Sequence, residues 1–282
     1  MSKPEPDARR RPRKQLKTWQ RILFRWRLPF VMVLVLMLLS AVVMLVISSK
    51  IAACAKAKEL ERQQQAAAMT TFEGAVVDAL QAEQDEIHKL VCLTKEDGNV
   101  TYDEENDRVQ LVVWSEKPQN TFKKDEQITL ENYTYAYPDL ELSTWGKANA
   151  DTLKKSQEAR LCKLFGMPER GAKSTFLLVT VAVERVLRPA YQPDAQLGNM
   201  NLSFEQTVGQ DFITWFNGEM TNNYFVSPRP WTRLGYTYDW GVEANQGHYG
   251  VTEFVIPANT KVTVKSIYSN EDMVKALRRG RL

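Results

Sequence analysis

The chain has 282 residues, 44% of them apolar and 25% charged, which excludes a wholly disordered protein. Its net charge of +3 is unevenly placed: residues 1–27 carry ten Lys or Arg against Glu5 and Asp7. That leaves a tail of about +8 and a remainder of about −5, so the folded part is mildly acidic and nucleic acid is not an expected partner.

From Leu28 to Ser49 no residue is charged, and Val31–Ile47 is almost wholly apolar. About 22 residues at 1.5 Å each give roughly 33 Å of helix, enough to cross a hydrocarbon core of about 30 Å. The expected elements are therefore a basic tail (1–27) and a transmembrane helix (28–49). Lys and Arg concentrate before the span, which places the N-terminus in the cytoplasm and the rest of the chain outside it. Trp19, Phe24, Trp26 and Phe30 stand where an aromatic belt meets the inner headgroups. The apolar run is longer than that of a cleaved signal peptide. Ile51-Ala52-Ala53-Cys54 resembles a bacterial lipoprotein processing site, in which Cys54 would be lipidated. Lys50 precedes it where such signals are normally uncharged, so an uncleaved anchor is preferred.

Residues 50–93 read as a helical stalk. Thr70-Thr-Phe-Glu73 has the form of a capping box, and Phe72, Val76, Leu80, Ile87 and Val91 follow at helical spacing. Such a face packs on the domain or pairs with a second copy. Residues 94–282 read as one exported domain. Val109–Trp114 is a strand, as are Gln127–Leu130 and Tyr133–Tyr137, and Asn149–Phe165 is a helix ended by Gly166. Phe176–Val186 is apolar on both faces, as a central strand is. Residues 188–208 form a long loop, Asp211–Met220 a short helix, and Thr252–Ile256 with Lys261–Tyr268 a hairpin before a basic helical tail. The fold class is α+β, a mixed or antiparallel sheet domain.

Exported placement makes a disulfide between Cys92 and Cys162 an option, with two free thiols as the alternative. In the segment from Pro228 to Trp240, Leu234, Tyr236, Tyr238 and Trp240 would share one strand face, with Arg233 and Asp239 on the other. Trp231, Arg233, Tyr236, Tyr238 and Trp240 are the candidate partner- or ligand-binding residues, either as a stacking platform or as core. This segment and Tyr249–Ile256 resemble an uncharacterised family of exported bacterial proteins. The resemblance covers about the last third of the chain and implies an envelope location and no activity. It would place the chain in a bacterial inner membrane with its domain in the periplasm.

Glu253-Phe-Val-Ile-Pro257 resembles the catalytic-glutamate strand of ADP-ribosyltransferases, where the Glu orients the nicotinamide ribose of NAD. Val251 stands where that family's paired-acid motif wants Glu or Gln. The family's Ser-Thr-Ser strand and a well-separated upstream Arg are missing too. His88 and His248 lack metal-ligand spacing, and no phosphate loop, nucleophile elbow or zinc signature occurs. Asp103–Asp107 misses the EF-hand spacing and reads as a hairpin turn. No catalytic residue, metal or cofactor is expected. The expected partners are the lipid bilayer and a protein, or a second copy through the stalk. The alternative is a glycan- or small-ligand-binding or enzymatic domain that uses residues 231–240.

Overall fold

A computed structural model describes residues 18–169, 173–243 and 247–282, without the side chains of 18–28 and 65–66. The basic tail to Lys17 lies outside the described residues. The chain divides at Arg62/Gln63 into two units. The first unit is formed by helix α1, Thr18–Ala68, which runs a few residues into the second. The large apolar side chains of its stretch from Phe30 to Ile47 are exposed, and it is the one helix among the described residues long and apolar enough to cross a membrane.

The second unit is α+β. Its first departure from expectation is that no helix runs on to residue 93. Helix α1 ends at Ala68, and α2 spans only Phe72–Asp78. The break lies in a cap: the Thr71 hydroxyl accepts the Gly74 N–H at 3.0 Å, so Thr71 begins a new helix. Gly74 is required there, because a Cβ would sit 1.9 Å from the Ala68 carbonyl oxygen. A 3₁₀ turn at Gln84–Glu86 follows, and residues 87–93 run without regular structure.

The strands are β1 (Tyr102–Asp103), β2 (Arg108–Ser115), β3 (Gln127–Thr129) and β4 (Thr134–Pro138). After helices α3 (Asp139–Ala148) and α4 (Ala150–Leu164) comes β5 (Thr175–Ala182). Helix α5 (Gln210–Thr221) runs into a π-helical turn at Asn222–Val226. Strands β6 (Tyr236–Tyr238), β7 (Tyr249–Thr252), β8 (Phe254–Ile256) and β9 (Lys261–Ser269) precede the final helix α6 (Asn270–Arg279). Asp103–Asp107 is the turn of the β1–β2 hairpin.

All pairings are antiparallel, in the order β3-β9-β5-β2-β4-β8. Strands β8 and β9 are not a hairpin. Each is part of one bent ribbon: β9 pairs with β3 and β5, and β8 pairs with β4. Residues 127–138 form a second bent ribbon alongside. Leu130 donates to the Thr260 carbonyl at 2.9 Å and accepts from Asn259 at 2.8 Å, so the two ribbons stay bonded through their bends. The sheet thereby closes on itself. Asn259 takes a positive φ of 64° at the bend, a conformation Asn tolerates.

Strand alternation divides two cores. Val109, Leu111 and Val113 of β2 and Leu177, Val179 and Val181 of β5 point inside the closed sheet, with Phe254, Ile256, Val262 and Val264. Val112, Trp114, Phe176 and Leu178 point outward, under α3, α4 and α6. Strand β5 is thus central, as its two apolar faces require. It ends at Ala182 in a 3₁₀ turn, four residues short of the expected strand.

Candidate functional site

The segment 228–240 is the internal spine of the second unit. Only Tyr236–Tyr238 is a strand, and Arg233 and Gly235 take positive φ of 60° and 80°. Gly235 is packed against Arg188, whose Cδ would lie 2.6 Å from an added Cβ. These turns spread the candidate residues over separate clusters. Trp231 packs with Phe216 and Tyr224 beneath α5. Leu234 and Tyr236 pack with Leu90, Ala190 and Met200. Tyr238 and Trp240 pack with Ala75 of α2 and with Ala79 just past its end, and Phe72 meets Trp240 edge-on at 5.8 Å.

Trp231, Arg233, Tyr236, Tyr238 and Trp240 are each 6% exposed or less, so they form no open stacking platform. Most of their polar atoms are used internally, although Trp231 Nε1 and Arg233 Nε are buried without a partner among the described residues. The Tyr236 hydroxyl donates to the Glu86 carbonyl at 2.9 Å and the Tyr238 hydroxyl to Asp78 at 2.7 Å. The Trp240 indole donates to the Met167 carbonyl at 3.1 Å, and Arg233 to Leu80 at 2.8 Å. Asp239 accepts both terminal nitrogens of Arg160, at 2.9 and 2.7 Å, and Arg160 lies over the Trp145 ring. Cys92 and Cys162 are free thiols: Cys162 is buried in the outer core and Cys92 lies beside Gly198. Burial raises the pKa of both, to about 11 for Cys162. Cys54 is exposed on α1.

Two buried polar clusters were not anticipated. In the first, Arg188 is fully buried. Its Nη2 donates to the Val91 carbonyl at 2.8 Å and the Leu197 carbonyl at 3.0 Å, and its guanidinium lies over Phe254. Burial lowers its pKa to about 10. Nearby, Glu141 of α3 accepts from the Tyr249 hydroxyl and the Thr252 N–H, both at 2.8 Å, and burial raises its pKa. A cleft of about 520 Å³ borders Glu141, Cys92 and Asp97.

The second cluster lies between the π-helical turn and the β4–β8 ribbon. Arg229 stacks 4.1 Å from the Tyr135 ring centre and donates to Asn223 at 2.7 Å. Tyr135 donates to Glu219 at 2.9 Å. Glu253, 3% exposed, faces the same group. Burial raises its pKa to about 7; Arg229 and Lys173 oppose that rise, and Glu219 adds to it. Burial opposes the charge of Arg229, yet Tyr135, Glu253, Tyr137 and Glu219 together hold its pKa above the ordinary value. The arrangement can take up a proton near neutral pH, and Glu253 itself is buried, while Tyr135, Glu219 and Arg229 are half-buried. Glu253 therefore lies on no open cleft of the kind an NAD-binding glutamate needs. The available signal was a lone acid within Gly250–Ile256, an otherwise apolar run broken only by Thr252.

Among the described residues no group of three or more His, Cys, Asp and Glu side chains is arranged to hold a metal. His88 packs on Tyr236 and Tyr249, and His248 stacks on Tyr238 at 4.6 Å. Comparison with protein-family models, curated proteins and solved structures found no match to this chain.

Proposed function

We propose that this chain is a single-pass protein of a bacterial inner membrane, its N-terminus cytoplasmic, whose second unit sits in the periplasm and binds a protein partner. The observation that carries the reading is α1. Its large apolar side chains from Phe30 to Ile47 are all 47% exposed or more, and lipid is the environment in which such a surface is stable. The ten basic residues before the span support the orientation. The binding role is favoured over glycan stacking because the aromatic segment is consumed by the core. Phe225 and Val226, 78% and 72% exposed, leave apolar surface on the folded unit.

In-cell cross-linking of the tagged full-length chain in its native membrane, read by mass spectrometry, tests this. A dominant protein captured at near-stoichiometric yield is expected. Capture of nothing would contradict a binding role.

A further inference from the structure

A cleft of about 300 Å³ opens where the wall of the closed sheet parts. The β2–β4 ladder pairs Leu111 with Pro138 and ends at Val113 with Ala136. Beyond that pair, Trp114–Lys117 and the bend between β3 and β4 diverge and become the two sides of the cleft. Among the described residues the backbone of the bend is bonded on its far side only, to the β8–β9 ribbon. Glu131, Asn132 and Tyr133 are exposed there, and among the described residues their backbone N–H groups donate to no carbonyl. The floor is apolar, formed by Val113, Leu177, Phe122 and Ile128.

One cation stands in this cleft without a partner. Lys173 lines it, and among the described residues its ammonium makes neither an ion pair nor a hydrogen bond. Glu116 and Glu253 are near enough to attract it but do not pair with it, and burial followed by repulsion from Arg229 lowers its pKa. Behind Tyr135, Nη2 of Arg229 is also buried without an acceptor. The Lys117–Glu131 ion pair, 2.9 Å long, joins the two sides. Both members are more than half exposed, so opening it costs little.

We infer that this cleft takes an extended, acidic segment of another protein, which adds its backbone to the 131–133 edge, seats an apolar side chain on the Val113–Leu177 floor and sets a carboxylate against Lys173. An exposed run of free N–H groups beside an apolar groove is the arrangement by which a sheet accepts an added strand. The unpaired ammonium selects the sign of the partner's charge. This inference rests on the protein-binding reading and gives it a surface and a partner chemistry.

The test places a photo-cross-linking amino acid singly at Thr129 and Asn132, and at Leu197 and Phe225 as positions that do not line the cleft, in the full-length chain in its native membrane. Adducts are expected from Thr129 and Asn132, with the captured peptide carrying Asp or Glu within a few residues of the cross-link. Lys173→Glu should lower their yield at least ten-fold, and Lys173→Arg should restore it. A thermal melt unchanged by Lys173→Glu separates lost binding from lost folding. Adducts from Leu197 or Phe225 alone would overturn the cleft while leaving the protein-binding reading intact. Silence at all four positions would sink both. Capture of a second copy of this chain, of a basic segment, or of a partner indifferent to Lys173→Glu would also overturn the inference.

Discussion

Glu253 ionises near pH 7 in the folded chain, against an ordinary value of 4.5. Between these values the native state holds a proton that the unfolded state has released, so stability falls as pH rises through this window. The loss is on the order of 3 kcal/mol and is complete above about pH 8. Glu253→Gln keeps the shape and removes the titration. Urea unfolding at pH 5 and pH 8 should show the wild-type chain losing stability relative to the variant, whereas parallel profiles would contradict the burial of this carboxyl. Asp239 is a different case, because both its carboxylate oxygens are paired with Arg160. Asp239→Asn leaves Arg160 buried with its partner's charge gone, and a loss of about 3 to 5 kcal/mol is expected in the same assay. Trp240→Ala separates the two uses of the aromatic segment. A core Trp costs about 3 to 5 kcal/mol when truncated, whereas a surface stacking residue leaves stability nearly unchanged.

At the scale of elements, α6 closes the outer core by a close approach to α3. A Cβ on Gly146 would lie 2.6 Å from the Leu277 Cβ and 2.8 Å from its carbonyl oxygen, so Gly146→Ala must push the helices apart. A cost of about 1 to 3 kcal/mol is expected, with amide exchange accelerating first in Asn270–Arg279. What could be read in advance at this scale depended on local pattern. Strands β2 and β5 were legible because β-branched residues alternate over both their faces, and α5 because Phe212 and Phe216 recur at helical spacing. Helix α3 was not expected: no helical face was seen in Asp139–Ala148, though Leu142 is buried and Gly146 lies against α6. The last two strands read as a hairpin because a Pro-Ala-Asn turn joins two apolar runs. Which strand each run pairs with is decided by closure of the sheet, a non-local matter.

For the molecule as a whole, the long apolar helix was plain from hydropathy, and the interior of the folded unit was not. Arg188, Arg229 and Glu253 are brought to their clusters by segments far apart in the chain, so no local spacing announced them. The aromatic segment gave the opposite difficulty. A run of Tyr and Trp has the same pattern as a platform or as a spine, and only the turns at Arg233 and Gly235 decide for the spine.

Membrane topology is the claim on which the binding role depends, and Cys54 reports it directly. It is exposed and lies just past the apolar stretch, while the buried Cys162 serves as an internal control. Intact cells treated with a membrane-impermeant maleimide, followed by peptide mass analysis, should show Cys54 modified and Cys162 untouched. Modification of Cys54 only after the inner membrane is opened would place the folded unit in the cytoplasm and contradict the account.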